Sequence, residues 1–451
     1  MKHPVGRKKW KVVVTGNMNK DNTSVLSSAR LWHLPLLIVL LSFVAPNQTG
    51  TSLFSGTTIW WIVSFTLIAC VFWYKKKFFH PSNKKDYKIV HFFLLWMLLG
   101  VIRGIFVVED YWEWKQLIFG TLALSLPIFI YVFSIPLILQ KTLKLWLKIF
   151  PLAFISYIAW KVLNESFHYY LSPILLLGCF LPVIPRNWRI VIIGFLLVLI
   201  FADFFARAQV LKAVISLLMS IAYMMFISER VSVRLLRPVH TWLYLTPIIL
   251  LITGISGIFN PFQAFQEDTN IEYSQTNTIY GFDMEENISD DTRTFIYEEV
   301  ISSALTHNYV LHGRTPARGN DSESFGAHSA EELGTGKYER HSNEVCHPNV
   351  FTWLGLIGVI LYSMIYFRSS YLALFKSKNI ALKLLGIYIA FRWAYGWIED
   401  NSALNMVSVS LWMIIAMGFS EEFREMTDKD FKEWIIGILP RRKKDYPTDY
   451  Y

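Results

Sequence analysis

Residues 240–259, HTWLYLTPIILLITGISGIF, run directly into residues 260–273, NPFQAFQEDTNIEY, and this change of character decides the fold. The first stretch is apolar for about 20 residues, enough to cross a bilayer as a helix. After Asn260 the apolar runs stop, and they resume only at Val350. The polar segment between them, 260–346, is far longer than a connection between neighbouring helices needs. Long loops are usually kept for binding or catalysis. This one carries Arg293, Arg314, Arg318, Arg340 and His341, with His347 just past its end.

On both sides of the loop the chain is apolar. Of its 451 residues, 53% are hydrophobic and only 17% charged, with mean hydropathy +0.36. A soluble domain carries about 25% charged residues. Aromatic residues make up 16%, which suits Trp and Tyr belts at two water–lipid interfaces. Apolar runs fall at about 31–46, 57–74, 88–108, 116–136, 143–163, 169–184, 188–205, 207–227, 240–259, 347–367, 379–398 and 403–419. These predict an all-α polytopic membrane protein of roughly a dozen spans. The first and sixth runs are short enough to be re-entrant.

The net charge of +9 does not imply nucleic acid, because Lys and Arg sit in short segments between apolar runs. They alternate. Lys75, Lys76 and Lys77 follow the second run, Lys141, Lys144 and Lys148 the fourth, and Arg230, Arg234 and Arg237 the eighth, whereas 47–56 and 164–170 carry none. The positive-inside rule then places both termini in the cytoplasm and the long loop outside. No apolar core closely follows Met1, so the first span is expected to serve as the targeting signal. The expected organisation is a cytoplasmic tail at 1–30, spans at 31–259, the outer loop at 260–346, further spans at 347–419 and a cytoplasmic tail at 420–451.

Within the loop, Asp291–Thr306 reads as an amphipathic helix capped by Asp290 or Asp291, with Ile296, Val300, Ile301 and Leu305 on one face. His312–Gly319 is turn-like and Asn320–Arg340 reads as irregular. Cys70, Cys179 and Cys346 follow no disulfide or metal spacing.

Several residues point to chemistry. Arg207 lies at the outer end of an apolar run, the side where a positive anchor is not expected, so it is a binding candidate. Arg293 opens the loop helix. Arg314 and Arg318 are flanked by Gly313 and Gly319, which permit close backbone approach, and guanidinium forks match phosphate oxygens. His341 and His347 stand at the membrane boundary, where an imidazole can take a proton near neutral pH. Zinc is the rival reading for them, but no further ligands fall at metal spacing. Asp203 could neutralise Arg207. Arg103 and Arg392 lie within apolar runs and are expected to face an interior cavity, with Glu399 and Asp400 at a helix end beyond Arg392.

These features, in this order, resemble the O-antigen ligase and O-antigen polymerase superfamily of bacterial inner-membrane proteins. The pattern is Ala206-Arg207 at an outer helix end, then Asp291-Thr292-Arg293 opening a loop helix, then Leu311-His312-Gly313. It closes with His347-Pro348-Asn349 before Gly355 and Gly358. Ala206 stands where the family has serine, and Pro348 separates a usual His-Asn pair, so His341 with Asn343 competes with His347 for one role.

The resemblance implies a glycosyltransferase of the GT-C-like membrane class, inverting and without metal or other cofactor. It would take glycan from an undecaprenyl-diphosphate carrier at the periplasmic face and place it on an acceptor glycan or glycolipid. Arg207 and Arg293, assisted by Arg314 or Arg318, would contact the diphosphate, and His347 or His341 would be the base. A polymerase and a ligase are both compatible, a chain-length regulator is an expected partner, and a lipid-linked glycan flippase is the competing class.

Overall fold

A computed structural model describes residues 32–41, 57–159, 171–201, 207–260, 272–277, 282–287, 293–333 and 336–440. The described chain is mostly helical. Before the loop lie α1 (His33–Leu40), α2 (Thr57–Phe78), α3 (Lys88–Ile105), α4 (Tyr111–Leu124), α5 (Ile130–Phe133) and α6 (Pro136–Ala159). They are followed by α7 (Pro173–Gly178), α8 (Arg186–Phe201), α9 (Arg207–Ile227) and α10 (Leu236–Ile255). The loop holds strands β1 (Glu272–Asn277) and β2 (Phe282–Asn287), α11 (Thr294–Thr306), β3 (Asn320–Asp321), α12 (Gly326–Leu333) and β4 (Glu339–Arg340). Then come α13 (Cys346–Lys376), α14 (Ile380–Tyr395), α15 (Met406–Phe419), α16 (Glu421–Glu425) and α17 (Asp428–Ile438).

Among the described residues, six helical stretches are long and apolar enough to cross a membrane: Thr58–Phe78, Lys84–Ile105, Tyr111–Phe133, Ala208–Ile227, Val233–Ile255 and Cys346–Lys376. The dozen expected from the apolar runs are thus met in part. The first and sixth runs yield helices of only 8 and 6 residues, α1 and α7. The helices α8 and α14 have 16 residues each and α15 has 14, short of the ~20 that span a bilayer unaided. Local chemistry sets these ends. Asn379 caps α14 through the Leu382 amide (2.8 Å), and Asn405 caps α15 through the Ser408 amide (2.9 Å).

The peripheral spans turn their apolar faces outward. Phe92, Leu95 and Leu99 of α3 and Trp242, Ile248 and Ile252 of α10 are exposed, an arrangement suited to lipid. The centre is built from 111–133, α13, α14 and α15, where Phe129, Phe133, Trp353, Tyr362, Tyr366, Tyr388 and Trp412 are buried. Close helix approach there relies on small residues: the Ser369 hydroxyl of α13 donates to the Ile415 carbonyl of α15 (2.6 Å) where Gly418 faces it. At the end of α3 away from the loop, buried Asp86 accepts from Arg368 and from Arg424 (3.3 Å), tying α13 and α16 together.

The loop is more ordered than its polarity suggests. Strands β1 and β2 form an antiparallel hairpin, with Glu272 opposite Asn287 and Asn277 opposite Phe282. The segment expected to be irregular, 320–340, contains β3 paired with β4, and α12 between them. Two small sheets therefore qualify the all-α expectation. The loop helix α11 falls where its periodicity places it, and Ile296 and Val300 pack on Val345 and Phe351. Its buried face is shifted, however. Leu305 is 64% exposed, while Ser303 and Ala304 are buried, because the Ser303 hydroxyl accepts from Tyr309 (2.7 Å) and from the Asp321 amide (2.9 Å). The two proposed caps, Asp290 and Asp291, lie outside the described residues.

The loop joins the bundle through a break in α13. Gly355 has φ +68°, ψ −170°, so the helix stops there and restarts. Gly313, at φ +74°, lies directly against it: a Cβ on either glycine would stand 2.5 Å from the other's backbone nitrogen. The freed backbone groups are taken up by the loop. Leu356 donates to the Val310 carbonyl (2.8 Å), Ile357 to Leu311 (3.3 Å), and Arg314 donates to the Thr352 carbonyl (2.7 Å). Trp96 of α3 donates to the Leu354 carbonyl (2.9 Å). Arg103, expected to face a cavity, instead donates to the His312 and Gly313 carbonyls (2.9 and 3.0 Å).

Gly313→Ala and Gly355→Ala should each lower stability by about 2 kcal/mol or more, since each adds both a backbone clash and an unfavourable φ. Gly194→Ala, with no atom within 4 Å of the added Cβ, should not. Thermal unfolding of the detergent-solubilised protein checks this, and equal melting temperatures for all three would contradict the crossing.

Candidate functional site

The turn after α14 collects most of the site. Four consecutive carbonyls, those of Gly396, Trp397, Ile398 and Glu399, accept from elsewhere in the chain. His347 N donates to Gly396 (3.2 Å) and Cys346 N to Glu399 (3.2 Å), both from the start of α13. Tyr297 Oη donates to Trp397 (2.5 Å) and Arg293 Nε to Ile398 (3.2 Å), both from the loop helix or its N-cap. Arg293 and His347, separated by more than fifty positions in the chain, are thereby held on one turn.

Beneath the turn lies a buried ion cluster. Lys212 of α9, fully buried, donates to Glu399 Oε1 (2.5 Å). Arg392 of α14, 3% exposed, lies 3.7 Å from the other oxygen of Glu399 and donates to Asn401. Arg392 does face the interior, as its position in an apolar run suggested. Burial raises the pKa of the adjacent Asp400, and its Ser402 contacts oppose the rise. Arg207 opens α9 itself, upstream of Lys212 on the same helix. Its side chain and Asp203 lie outside the described residues.

The two histidines occupy different surroundings. His347 is buried among aromatic rings, 4.3 Å from Trp397 and 5.6 Å from Trp393 between centroids. Its Nε2 lies 3.0 Å from the Trp393 carbonyl, which can only accept, so Nε2 carries the proton and Nδ1 presents the lone pair. That Nδ1 is buried with no partner among the described residues. Pro348 is tolerated in the first helical turn, where its missing N–H would have no intrahelical partner anyway. His341 belongs to the other side of the loop. Its Nε2 donates to the Pro316 carbonyl (2.9 Å), and its ring packs on Trp353 and Phe119. Burial lowers its pKa to about 4, against the opposing effect of the Pro316 contact. It is neutral at pH 7 but weakly basic. Asn343 and Asn349, near the two histidines, are joined to each other: Asn349 Nδ2 donates to the Asn343 carbonyl (2.8 Å), and Asn343 N donates to Asn349 Oδ1 (2.6 Å).

Arg314 and Arg318 are brought together, but on carboxylates. Arg314 Nη1 donates to Asp321 (2.7 Å) and its Nη2 lies 3.0 Å from Glu339. Arg318 Nε donates to Glu339 Oε2 (2.9 Å) and lies 3.6 Å from Glu113. Lys337 joins Glu113 and Glu109 (2.7 Å), fastening this network to the start of α4. Alternation along β4 turns Arg340 away from Glu339. Arg340 Nη2 instead donates to Glu344 Oε1 (3.3 Å), while Arg293 Nη1 donates to Glu344 Oε2 (2.8 Å).

Reading the sequence overlooked Lys212, although a lysine inside an apolar helix is itself a functional signal. It gave no role to Arg340 or Glu344, which only β4 and the start of α13 bring to Arg293. Among the described residues, no three His, Cys, Asp or Glu side chains lie close enough together to share a metal ion. The chain matches no protein-family model, no curated protein and no solved structure.

Lys212→Met should cost about 3–5 kcal/mol by stranding Glu399 beside one distant arginine, and Lys212→Met with Glu399→Gln should recover part of it. Chemical or thermal unfolding of the three variants measures the coupling, and additive losses would mean the pair is not coupled. His341 gives a pH test. Its folded pKa, about 4, lies below the ordinary 6.5, so the unfolded chain binds the proton first. Its contribution is complete above pH 6.5 and is lost as pH falls toward 4. His341→Gln should flatten that part of the pH–stability curve, and an unchanged slope would remove the assignment.

Proposed function

We propose that the protein is a membrane glycosyltransferase that moves or polymerises glycan from an undecaprenyl-diphosphate donor at the periplasmic face. The observation that carries this reading is the convergence of Arg293 and His347 on the Gly396–Glu399 turn, above buried Lys212 and Arg392. Guanidinium donors and an imidazole with an unpartnered Nδ1 are then attached to one turn, where the polar loop meets apolar helices. In this reading the loop is periplasmic, both termini are cytoplasmic, and the membrane is a bacterial inner membrane. The shorter apolar helices α8, α14 and α15 complete the crossings within the bundle.

The reaction we propose uses these groups. An acceptor sugar hydroxyl attacks the anomeric carbon, the bond from that carbon to the diphosphate oxygen breaks, and configuration inverts. The leaving diphosphate takes the electron pair, and Arg293 with Arg207 holds its charge. Preorganised donors of this kind contribute about 3 kcal/mol each. The hydroxyl proton goes to Nδ1 of His347, a transfer usually worth about 10²–10⁴ in rate. We assign the base to His347 and not His341 because only His347 shares the turn with Arg293. Arg314 and Arg318 act by holding the loop on α4, because carboxylates already engage them. Polymerisation is the first reading and ligation to a lipid A core or other acceptor the alternative.

Deleting the gene in its host and profiling surface and lipid-linked glycans tests the class. Single repeat units on the normal acceptor mean a polymerase, full-length glycan left on the carrier means a ligase, and an unchanged profile rejects both. In complementation, Arg293→Lys should fail nearly as badly as Arg293→Ala, about 10²-fold or more below wild type. An ammonium presents its donors from a single nitrogen and cannot reproduce the planar fork that spans the Ile398 carbonyl and an oxyanion, so full activity of the lysine variant would refute the role.

A further inference from the structure

Among the described residues, one exposed carboxylate of the loop bridges two guanidinium groups. Glu344 offers both oxygens to two guanidinium groups, Oε2 to Arg293 (2.8 Å) and Oε1 to Arg340 (3.3 Å). Its side chain is 58% exposed, whereas Arg293 and Arg340 are 25% and 13% exposed. The cations are set in the protein and the anion lies over them. Two of the carboxylates on Arg314 and Arg318 differ: Glu339 and Glu113 are 12% and 3% exposed and belong to the interior, whereas Asp321, 43% exposed, lies between Arg314 and His307.

Arg340 is built in place. Its backbone is in β4, and its guanidinium stacks 4.2 Å from the Phe325 ring. Its Nη1 is buried with no partner among the described residues. Burial lowers its pKa, Glu344 and Glu299 oppose the fall, and Arg293 adds to it. Glu299 is turned partly to another task, since its Oε1 accepts from the Ser324 amide (2.9 Å). Arg340 therefore has an unused buried donor, a neighbouring like charge and one displaceable anion.

We propose that Arg293 and Arg340 form a diphosphate-binding site, that Glu344 fills it as an internal anion when no substrate is present, and that a diphosphate ester displaces Glu344. The identity of the anion rests on the transferase reading; the displacement does not. A diphosphate carries more charge and more acceptor oxygens than one carboxylate, and can reach Arg340 Nη1 as well as Nη2. Two consequences follow. The empty site does not leave two half-buried cations facing each other, and inorganic phosphate, with fewer acceptors, displaces Glu344 less readily.

The test is direct binding of farnesyl diphosphate and of inorganic pyrophosphate to the full chain in nanodiscs of zwitterionic lipid, by calorimetry. Glu344→Gln removes the competing charge and should tighten binding about tenfold, the equivalent of one charge-assisted contact. Glu344→Ala should do the same should glutamine keep the hydrogen bonds. Arg340→Ala should weaken binding about tenfold or more, and Arg340→Lys should not restore it. Tightening for farnesyl diphosphate alone assigns the lipid carrier, and tightening for both ligands assigns the diphosphate group itself; each sustains the proposal. Equal or weaker binding by both Glu344 variants overturns it, even where wild type binds and transfer is intact, so the transferase reading can survive this failure. Absence of diphosphate binding in every variant also overturns it, whereas an unchanged glycan profile on gene deletion overturns the transferase reading alone.

Discussion

A helix that stops inside or beside an apolar layer must find protein partners for the backbone groups it releases, because lipid offers none. In this chain that constraint falls on Gly355. The amides of Leu356 and Ile357 and the carbonyls of Thr352 and Leu354 would be stranded by the break. Each is met, three by the 310–314 turn and one by the Trp96 indole. The turn can come this close only because both chains present a glycine at the contact. Arg103 then fastens the far side of the same turn through two carbonyls. The break and the loop are thus one structure, and neither is stable alone.

From that anchor the site follows. Pinning 310–314 sets the end of α11, and the start of α11 meets the Gly396–Glu399 turn through Arg293 and Tyr297. The first segment of α13, 346–354, leads from the break back to the same turn through Cys346 and His347. A long polar loop is therefore attached at both ends of its helix to rigid membrane elements. Such support is what a binding constellation needs, since misplacement by about 1 Å is enough to weaken catalysis.

Much of this was legible as pattern and little of it as contact. Apolar length identified the membrane class, and a 3.6-residue period placed α11. Gly313 and Gly355 were visible as glycines in suggestive places, but their crossing joins positions that no local rule connects. Leu305 shows where periodicity fails: the helix period permits it inside, yet a serine holding Tyr309 and Asp321 took that face. Lys212 was hidden by its surroundings, because an apolar run with one lysine still reads as a span. Its partner, Glu399, lies 187 positions away. The β3–β4 pair escaped because two-residue strands have no measurable period. Apolar length alone does not separate a helix that crosses unaided from a shorter one buried by its neighbours, such as α15.

The arginines of the loop divide by how their charge is met, not by their sequence surroundings. Arg314 and Arg318, flanked by glycines, suit an assisting role toward phosphate, yet both glycines serve backbone packing and two of the carboxylates, Glu113 and Glu339, are interior. Freeing Glu113 or Glu339 would leave a charge in a poorly solvated place, which is costly. An incoming anion gains little at such a site, because displacing the resident one costs about as much as binding returns. Arg293 and Arg340 share a carboxylate that can swing into water with little desolvation penalty. Exchange there is governed by the difference in charge and acceptor number between two ligands, one attached to the chain and one arriving. That difference favours a diphosphate, and it separates a guanidinium that holds the protein together from one that can bind a ligand.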